Sequence, residues 1–548
     1  MTGFRIASAA FAVALGFGSA ASAQVLPPGA PAPAGAASAL TAAQVAAIDK
    51  IAATVIERKA TPSVAIGVAK NGRLIFAKAY GYRNLDDRVP ADAETMYGIG
   101  SNTKQFTAAA IMMLRDQGKI DVDAPVSRYL PGIPHGGEVK IRNLLTHTGG
   151  YAEYTELPDI DMIGARPATN QEILDSVVSR PLGFKPGTKW QYSNTGYVML
   201  ATIVEKLSGM SYPEFLRTKI FEPLGMTRTH FGDEQLVETD RATGYTRFAM
   251  GEQEHEQHLD YSWFSGAGAI ESTLADMERW NDAIDRGSLL SASSREMMHT
   301  SFKLADGSDT SYGFGLFLRT LPGGKHVVLH GGDTTGFGTQ DARFVEDGID
   351  VIVLTNQEPA SYNAVLNAVY GAIVAAPPRP LPTSTPAPTG PAPATAANPA
   401  PAQPAVPAAT PSAGPSASPT PIPYAKPEVD ALARRWLDDA IVGKIDLTKL
   451  SAGSRASLRL PRYQAALRDL ARFGPRTYRL VNVDRRAPSS SYQYLMLTPT
   501  RTLIYIFGID DDGLISGGDV FDPNPLAPDR PAAPPAATSP APSPSPSP

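Results

Sequence analysis

Ile99-Gly100-Ser101-Asn102-Thr103-Lys104-Gln105-Phe106-Thr107, running on into Ala108-Ala109-Ala110-Ile111-Met112-Met113-Leu114, decides the reading of this 548-residue chain. Apolar residues recur on helical spacing at Phe106, Ala110, Met113 and Leu114, and Gly118 is placed to stop the helix. Ser101 then stands at the mouth of a helix, where unpaired N–H groups and the positive end of the macrodipole favour a developing oxyanion. Lys104, three residues on, shares its face. A hydroxyl attacks a carbonyl at neutral pH only if another group takes its proton, and a desolvated lysine is suited to that task. Ser-x-x-Lys is fixed at two positions only, and serine is also a common N-cap, so companion motifs must carry the assignment.

Length alone implies three to four domains, but fifty prolines gathered into a few stretches leave a folded mass nearer two. The net charge is -5 and no long basic run exists, which argues against a nucleic-acid partner. Residues 1–23 have Arg5 in a short n-region, an apolar run over residues 7–17 and Ala21-Ser22-Ala23 before Gln24, the pattern of a cleavable signal peptide. No later segment is long and apolar enough for a transmembrane helix. The chain has no cysteine, hence no disulfide, thiolate metal site or lipid-bearing cysteine. A periplasmic or secreted protein is expected.

Residues 24–40 are a Pro/Ala-rich spacer. Thr41 is a plausible N-cap for a helix over residues 41–59, and Val64, Ile66 and Val68 alternate with small residues as a strand. Asn71-Gly72 marks a hairpin turn into a second strand over residues 73–81. His147, between two threonines before Gly149-Gly150, is read as scaffold that bonds to backbone near a turn. Residues 151–190 read as loops around one helix over residues 170–179. Tyr192-Ser193-Asn194 precedes an apolar helix over residues 198–207. A phenol held near a lysine can lose its proton well below its ordinary pKa and relay protons, and an amide two residues on can orient a carbonyl. A tyrosine corner with a turn asparagine is the alternative.

Glu254-His255-Glu256-Gln257-His258 sets two imidazoles at i and i+3 but lacks a third ligand, so a polar loop is expected rather than a metal site. Gly266-Ala267-Gly268 is not a dinucleotide fingerprint. An amphipathic helix is predicted over residues 274–284, strands over 312–319, 326–330, 336–345 and 349–355, and a helix over 363–375. These elements imply an α/β (α+β) domain: a sheet built from both chain ends, flanked by helices, with an inserted helical lobe and a cleft between.

Three elements in this order, Ser101-Asn102-Thr103-Lys104, Tyr192-Ser193-Asn194 and His330-Gly331-Gly332, resemble the motif set of the serine β-lactamase and penicillin-binding-protein superfamily. The Tyr-x-Asn form is similar to the class C and DD-carboxypeptidase branch. So are Leu144-Leu145-Thr146-His147-Thr148-Gly149-Gly150 and Glu271-Ser272-Thr273-Leu274-Ala275-Asp276-Met277. The resemblance covers residues 41–376 and implies a β-lactamase/transpeptidase-like antiparallel sheet. It implies acylation of Ser101, proton handling by Lys104 and Tyr192, and substrate binding by Asn194, His330, Gly331 and Gly332. The implied oxyanion hole is the N–H groups of Ser101 and Asp333, with no metal and no organic cofactor. One departure is visible: the third motif usually carries lysine or histidine, then commonly a hydroxyl residue, then glycine, and Gly331 has no side chain.

Residues 377–423 form a Pro/Ala-rich linker whose reach, at about 3.1 Å per residue in polyproline II, is on the order of 100 Å. Residues 424–525 regain globular composition, helices first and four strands after, as a small α+β domain that weakly resembles nuclear-transport-factor-like modules. It is read as a tethered module that supplies no catalytic group. Asp510-Asp511-Asp512-Gly513 reads as a hairpin turn rather than a calcium site, and residues 526–548 as a disordered Pro/Ala/Ser tail. The leading expectation is an exported serine hydrolase acting through an acyl-enzyme on a small-molecule or peptide substrate, an ester or a D-amino-acid amide. A D-alanyl-D-alanine carboxypeptidase or weak β-lactamase is the alternative, and an idle binding protein for cell-wall fragments the rival from another class. Because Gly331 lacks a hydroxyl, His330 is expected to be neutral and Asp333 brings a negative side chain near, ester hydrolysis is expected to exceed that of carboxylate substrates.

Overall fold

The Thr41 hydroxyl accepts from the Gln44 N–H while the Gln44 side chain accepts from the Thr41 N–H, a capping box that starts helix α1 (Ala42–Glu57). This computed structural model describes residues 39–157, 163–232, 240–256, 259–287, 289–375, 422, 425–486 and 489–529. The expected signal peptide, nearly all of the spacer and linker, and most of the tail lie outside the described residues.

Strands β1 (Ser63–Lys70) and β2 (Arg73–Asn84) pair across Asn71-Gly72, whose φ angles of 52° and 73° are those of a tight hairpin turn. The alternation in β1 has a two-sided cause. Val64, Ile66 and Val68 pack in a cluster with α1, whereas a Cβ at Gly67 would lie 3.3 Å from the Leu274 side chain, so only small residues fit that face. Helix α2 (Thr103–Asp116) follows a short 3-10 turn at Gly100–Asn102, and α3 (Asn194–Ser208) starts four residues earlier than the apolar spacing indicates because the Ser193 hydroxyl caps it. Helix α4 (Leu274–Arg286) is capped by Thr273. The indole of Trp280 stacks on Phe106 of α2 with ring centroids 3.9 Å apart, which ties α4 to the helical lobe.

Strands β3 (Phe317–Thr320), β4 (His326–Thr334), β5 (Phe337–Phe344) and β6 (Ile349–Thr355) and helix α5 (Tyr362–Val374) complete the domain. Among the described residues the main sheet has seven strands in the order Val89–Pro90, β2, β1, β6, β5, β4, β3. The central pairings from β2 through to β3 are antiparallel. β3 pairs with β4 only as far as Leu329. Beyond that point His330 to Thr334 are bonded to β5 on one side and turn their other edge to the Ser101 region.

The C-terminal part contains α6 (Pro427–Ile441), α7 (Ala452–Leu458) and α8 (Pro461–Asp469), followed by β7 (Thr477–Arg486), β8 (Ser489–Leu497), β9 (Thr502–Asp510) and β10 (Ile515–Phe521) as a four-stranded antiparallel sheet in sequence order. The acidic run after β9 forms the expected turn, with Asp510 Oδ1 accepting from Leu514 N–H at 2.7 Å. The sequence reading leaves this unit on a tether; in the structure it is seated on the first domain. A short hairpin (Tyr245–Thr246 with Glu254–His255) carries Phe248, Ala249 and Met250 into its apolar core, where Ala249 N–H donates to Asp519 Oδ1 at 2.7 Å. Arg462 pairs with Glu254 at 2.9 Å, and Ser361 donates to the Asp522 carbonyl at 2.8 Å. Glu254 and His255 are thus strand residues, while His258 lies outside the described residues. No cluster of three or more metal-ligating side chains occurs among the described residues, and no described helix is long and apolar enough to cross a membrane.

Candidate active site

Ser101 lies in the 3-10 turn that leads into α2, so one helical turn places Lys104 beneath it. Lys104 Nζ is 3.0 Å from Ser101 Oγ, 2.8 Å from Asn194 Oδ1 and 2.7 Å from the Ala267 carbonyl oxygen. The lysine is fully buried. Burial pulls it down from its ordinary 10.5 to about 7, against a smaller upward pull from the Glu153 carboxylate. Its ammonium lies over the rings of Tyr192 and Tyr197, 4.7 and 5.5 Å from their centroids.

Tyr192 arrives from the loop before α3. Its ring stacks on His147 with centroids 4.2 Å apart, and its hydroxyl is buried without a hydrogen bond of normal geometry. The expectation that a lysine neighbour would ionise this phenol is corrected. Burial raises Tyr192 well above 10, the nearby Ser101 hydroxyl opposes that rise, and Tyr197, Glu153 and Asp333 add to it. The packing that lowers Lys104 keeps Tyr192 protonated.

His147 is bonded to backbone near a turn, as its setting predicts: its φ is +58° and its Nδ1 accepts from Ser193 N–H at 3.1 Å. That bond requires an unprotonated Nδ1, and burial with Lys104 close by holds the imidazole well below 6.5. His147 is also the floor under Tyr192, which the sequence does not reveal.

The third motif approaches along β4. Close packing explains its glycines: a Cβ at Gly332 would lie 1.9 Å from the Ile99 carbonyl oxygen, and one at Gly100 (φ +49°) would lie 2.9 Å from Asp333 N. The amide of Asp333 is thereby pressed against the residue that precedes Ser101. His330 Nδ1 lies 2.6 Å from the Gly331 carbonyl, which only accepts, so Nδ1 carries the hydrogen and Nε2 accepts from the Tyr312 hydroxyl at 3.1 Å. Burial and Lys104 lower His330 to about 3, so it is neutral at physiological pH. Strand alternation turns Asp333 to the opposite face, where its carboxylate accepts from the Tyr362 hydroxyl at 2.8 Å and burial raises it to about 6. The expectation that Asp333 sets a negative side chain beside the substrate is therefore corrected. Gly331 shares that face, and a Cβ there would meet Gln340 Oε1 at 2.7 Å.

Ser101, Lys104, Tyr192, Asn194 and His330 come together in one site, which Gly332 and Asp333 join through backbone, whereas the Cβ direction at Gly331 points away toward Gln340. Three others that build it carry no sequence signal that was read: Ala267, through its carbonyl, Tyr312 against His330, and Glu153, whose carboxylate holds the start of α3.

A serine and a buried lysine at hydrogen-bond distance, on an antiparallel sheet with an inserted helical lobe, define a serine hydrolase with a lysine partner. The family model described as Beta-lactamase matches residues 48–376, and the chain belongs to that family. Penicillin-binding protein 4* of Bacillus subtilis (strain 168) is 32% identical over 331 residues, 57% of this chain and 73% of that protein. The structure of D-amino acid amidase from Ochrobactrum anthropi SV3 complexed with L-phenylalanine is 26% identical with a TM-score of 0.54, over 60% of this chain and 98% of that one. The octameric penicillin-binding protein homologue from Pyrococcus abyssi is 25% identical with a TM-score of 0.53 and covers 87% of this chain and 98% of its own, so this likeness extends beyond the catalytic domain.

Proposed function

We propose that the chain is an exported hydrolase that forms an acyl-enzyme on Ser101, with Lys104 as general base and an ester or a D-amino-acid amide as substrate. One observation carries the assignment of the base. A neutral amine has two N–H donors and one lone pair, and two of the three partners of Lys104 Nζ, Asn194 Oδ1 and the Ala267 carbonyl, can only accept. As an ammonium Lys104 donates to all three; once neutral, its two N–H groups serve the two acceptors and its lone pair is left for Ser101 Oγ at 3.0 Å, the one partner able to donate.

The chemistry follows from that arrangement. Lys104 takes the Ser101 proton as Oγ attacks the substrate carbonyl, and the N–H groups of Ser101 and Asp333 receive the oxyanion. Tyr192, kept protonated by burial, passes a proton to the leaving group and is recharged from Lys104. Asn194 shares its amide between Lys104 and the bound substrate. Water then hydrolyses the acyl-enzyme with the same groups in reverse.

Substrate class follows from what the third motif lacks. His330 is neutral, so the third motif supplies no cation for a carboxylate beside the scissile bond. Neutral esters and amides lose nothing by this. The likeness to an amidase for D-amino acids supports the amide half of the reading. A carboxypeptidase or β-lactamase role would need a carboxylate anchor from elsewhere. An idle binding protein would have no use for a lysine buried against a serine. The test is mass spectrometry after incubation with a fluorophosphonate, followed by kcat/KM for a nitrophenyl ester, a D-amino-acid amide, a cephalosporin and a D-alanyl-D-alanine peptide. An adduct on Ser101 and a preference for the ester or amide are expected. No adduct in folded protein overturns the enzyme reading, and a tenfold preference for a carboxylate substrate, about 1.4 kcal/mol, overturns the substrate class. Export is tested by the N-terminus of the mature protein, expected at Gln24.

A further inference from the structure

Glu153 is almost fully buried, 6% exposed, where the chain enters the 3-10 turn Tyr154–Glu156 and packs against the N-terminus of α3. Its Oε2 accepts from Asn194 N–H at 2.6 Å and from Thr195 N–H at 3.4 Å, while Oε1 accepts from Thr155. Two of the N–H groups left unpaired at the N-terminus of α3 are thereby satisfied by a carboxylate at the positive end of the helix dipole. The turn itself is fixed by the reciprocal bonds of Thr195, whose hydroxyl donates to the Ala152 carbonyl at 2.7 Å and accepts from Tyr154 N–H at 3.1 Å. The consequence reaches the nucleophile in three links. Glu153 holds the Asn194 backbone, the Asn194 side chain holds Lys104 Nζ at 2.8 Å, and Lys104 Nζ meets Ser101 Oγ at 3.0 Å.

We infer that Glu153 is a positioning residue for the acylation step, its buried carboxylate fixing Asn194 and, through it, the direction in which Lys104 presents its lone pair to Ser101. This inference rests on the proposed role of Lys104 as base. The charged and titratable groups around Lys104 are few: Tyr192 and Tyr197 are kept protonated by burial, His147 and His330 are held neutral, and Asp333 turns to Tyr362 on the other face of the sheet. Glu153 is left as the anion that acts on the lysine. Geometry and charge therefore predict separable effects. Loss of the acceptor releases Asn194, and loss of the charge alone makes Lys104 easier to deprotonate.

The experiment compares Glu153→Gln and Glu153→Ala with wild type in kcat, KM and the pH dependence of kcat/KM for a nitrophenyl ester, with circular dichroism as the fold readout. Glu153→Gln keeps an acceptor for Asn194 N–H, so its kcat is expected within fivefold of wild type while the acid limb of the profile moves to lower pH. Glu153→Ala is expected to lose tenfold or more in kcat with KM changed less than threefold. A plain helix cap would not move the acid limb. A Gln profile that superimposes on wild type, or an Ala variant that folds and keeps kcat within threefold, overturns the inference; if the Ala variant does not fold, the Gln profile decides. Acylation of Ser101 in wild type with an unmoved limb in Glu153→Gln refutes the role of Glu153 alone, whereas absence of Ser101 acylation in wild type refutes the role of Lys104 and this inference together.

Discussion

The imidazole of His147 and the phenol of Tyr192 stack with ring centroids 4.2 Å apart, and the same imidazole accepts the N–H of Ser193, the next residue along. Two contacts from one ring thus fix both the plane and the backbone of the second motif. His147→Phe keeps a ring beneath Tyr192 but leaves the Ser193 N–H without its acceptor. An unfolding free energy lower by about 1–3 kcal/mol is expected, measured by denaturant titration, together with a fall in kcat at nearly constant KM. An unchanged kcat would show that Tyr192 does not depend on this support.

Gly332 is required by the approach of β4 to the Ser101 turn. Adding one methyl group places a carbon 1.9 Å from the Ile99 carbonyl, part of rigid backbone. Gly332→Ala is therefore expected to destabilise the protein by about 1–3 kcal/mol and to remove most of the activity, because the Asp333 amide moves with the strand. Thermal unfolding and ester turnover measure both.

Substrate preference is expected to be adjustable at His330, whose side chain lies on the face of β4 that meets Tyr192 and Tyr312. His330→Lys is expected to raise kcat/KM for a D-alanyl-D-alanine peptide relative to a nitrophenyl ester by tenfold or more. No change in that ratio would place carboxylate recognition elsewhere in the cleft.

The C-terminal unit packs its apolar core over Phe248, Ala249 and Met250. Ending the chain after residue 376 is expected to uncover that apolar hairpin tip, lower the melting temperature and increase binding of a hydrophobic dye, while ester turnover stays within about threefold of the full chain. Loss of turnover with the fold retained would mean that the hairpin transmits the docked state to the active site. The route exists: the hairpin begins beside the β4–β5 turn, where a Cβ at Gly244 would lie 2.5 Å from the Thr335 carbonyl.

Ser101, Lys104, Tyr192, Asn194 and the His330-Gly331-Gly332 strand were legible because each carries side-chain chemistry or a backbone constraint that only a few residue types satisfy, in a fixed order along the chain. Asn71-Gly72 and the Thr41 cap were legible for the same reason. Ala267 contributes a carbonyl that any residue has, so its type carries no signal. Glu153 sits in a stretch without periodicity, and nothing local distinguishes it from a surface acid. The state of Tyr192 depends on how tightly His147, Trp190 and His330 enclose it, a three-dimensional property that opposes the expectation drawn from a lysine neighbour. The side to which Asp333 points does follow from strand alternation counted from His330, once the strand is known to run through to Thr334. The seating of the C-terminal unit was hidden because the hairpin over residues 245–255 reads as a polar loop.

The central claim is that a neutral Lys104 activates Ser101, and the rate of Ser101 acylation by a fluorophosphonate between pH 5 and pH 9 tests it most directly. Burial lowers Lys104 to about 7, so the neutral fraction grows as pH rises through that value. The account predicts an acylation rate that climbs about tenfold per pH unit well below 7 and levels off above it. A rate that does not change with pH, or one that keeps climbing toward pH 10 as an ordinary lysine or an ionising phenol would require, contradicts it.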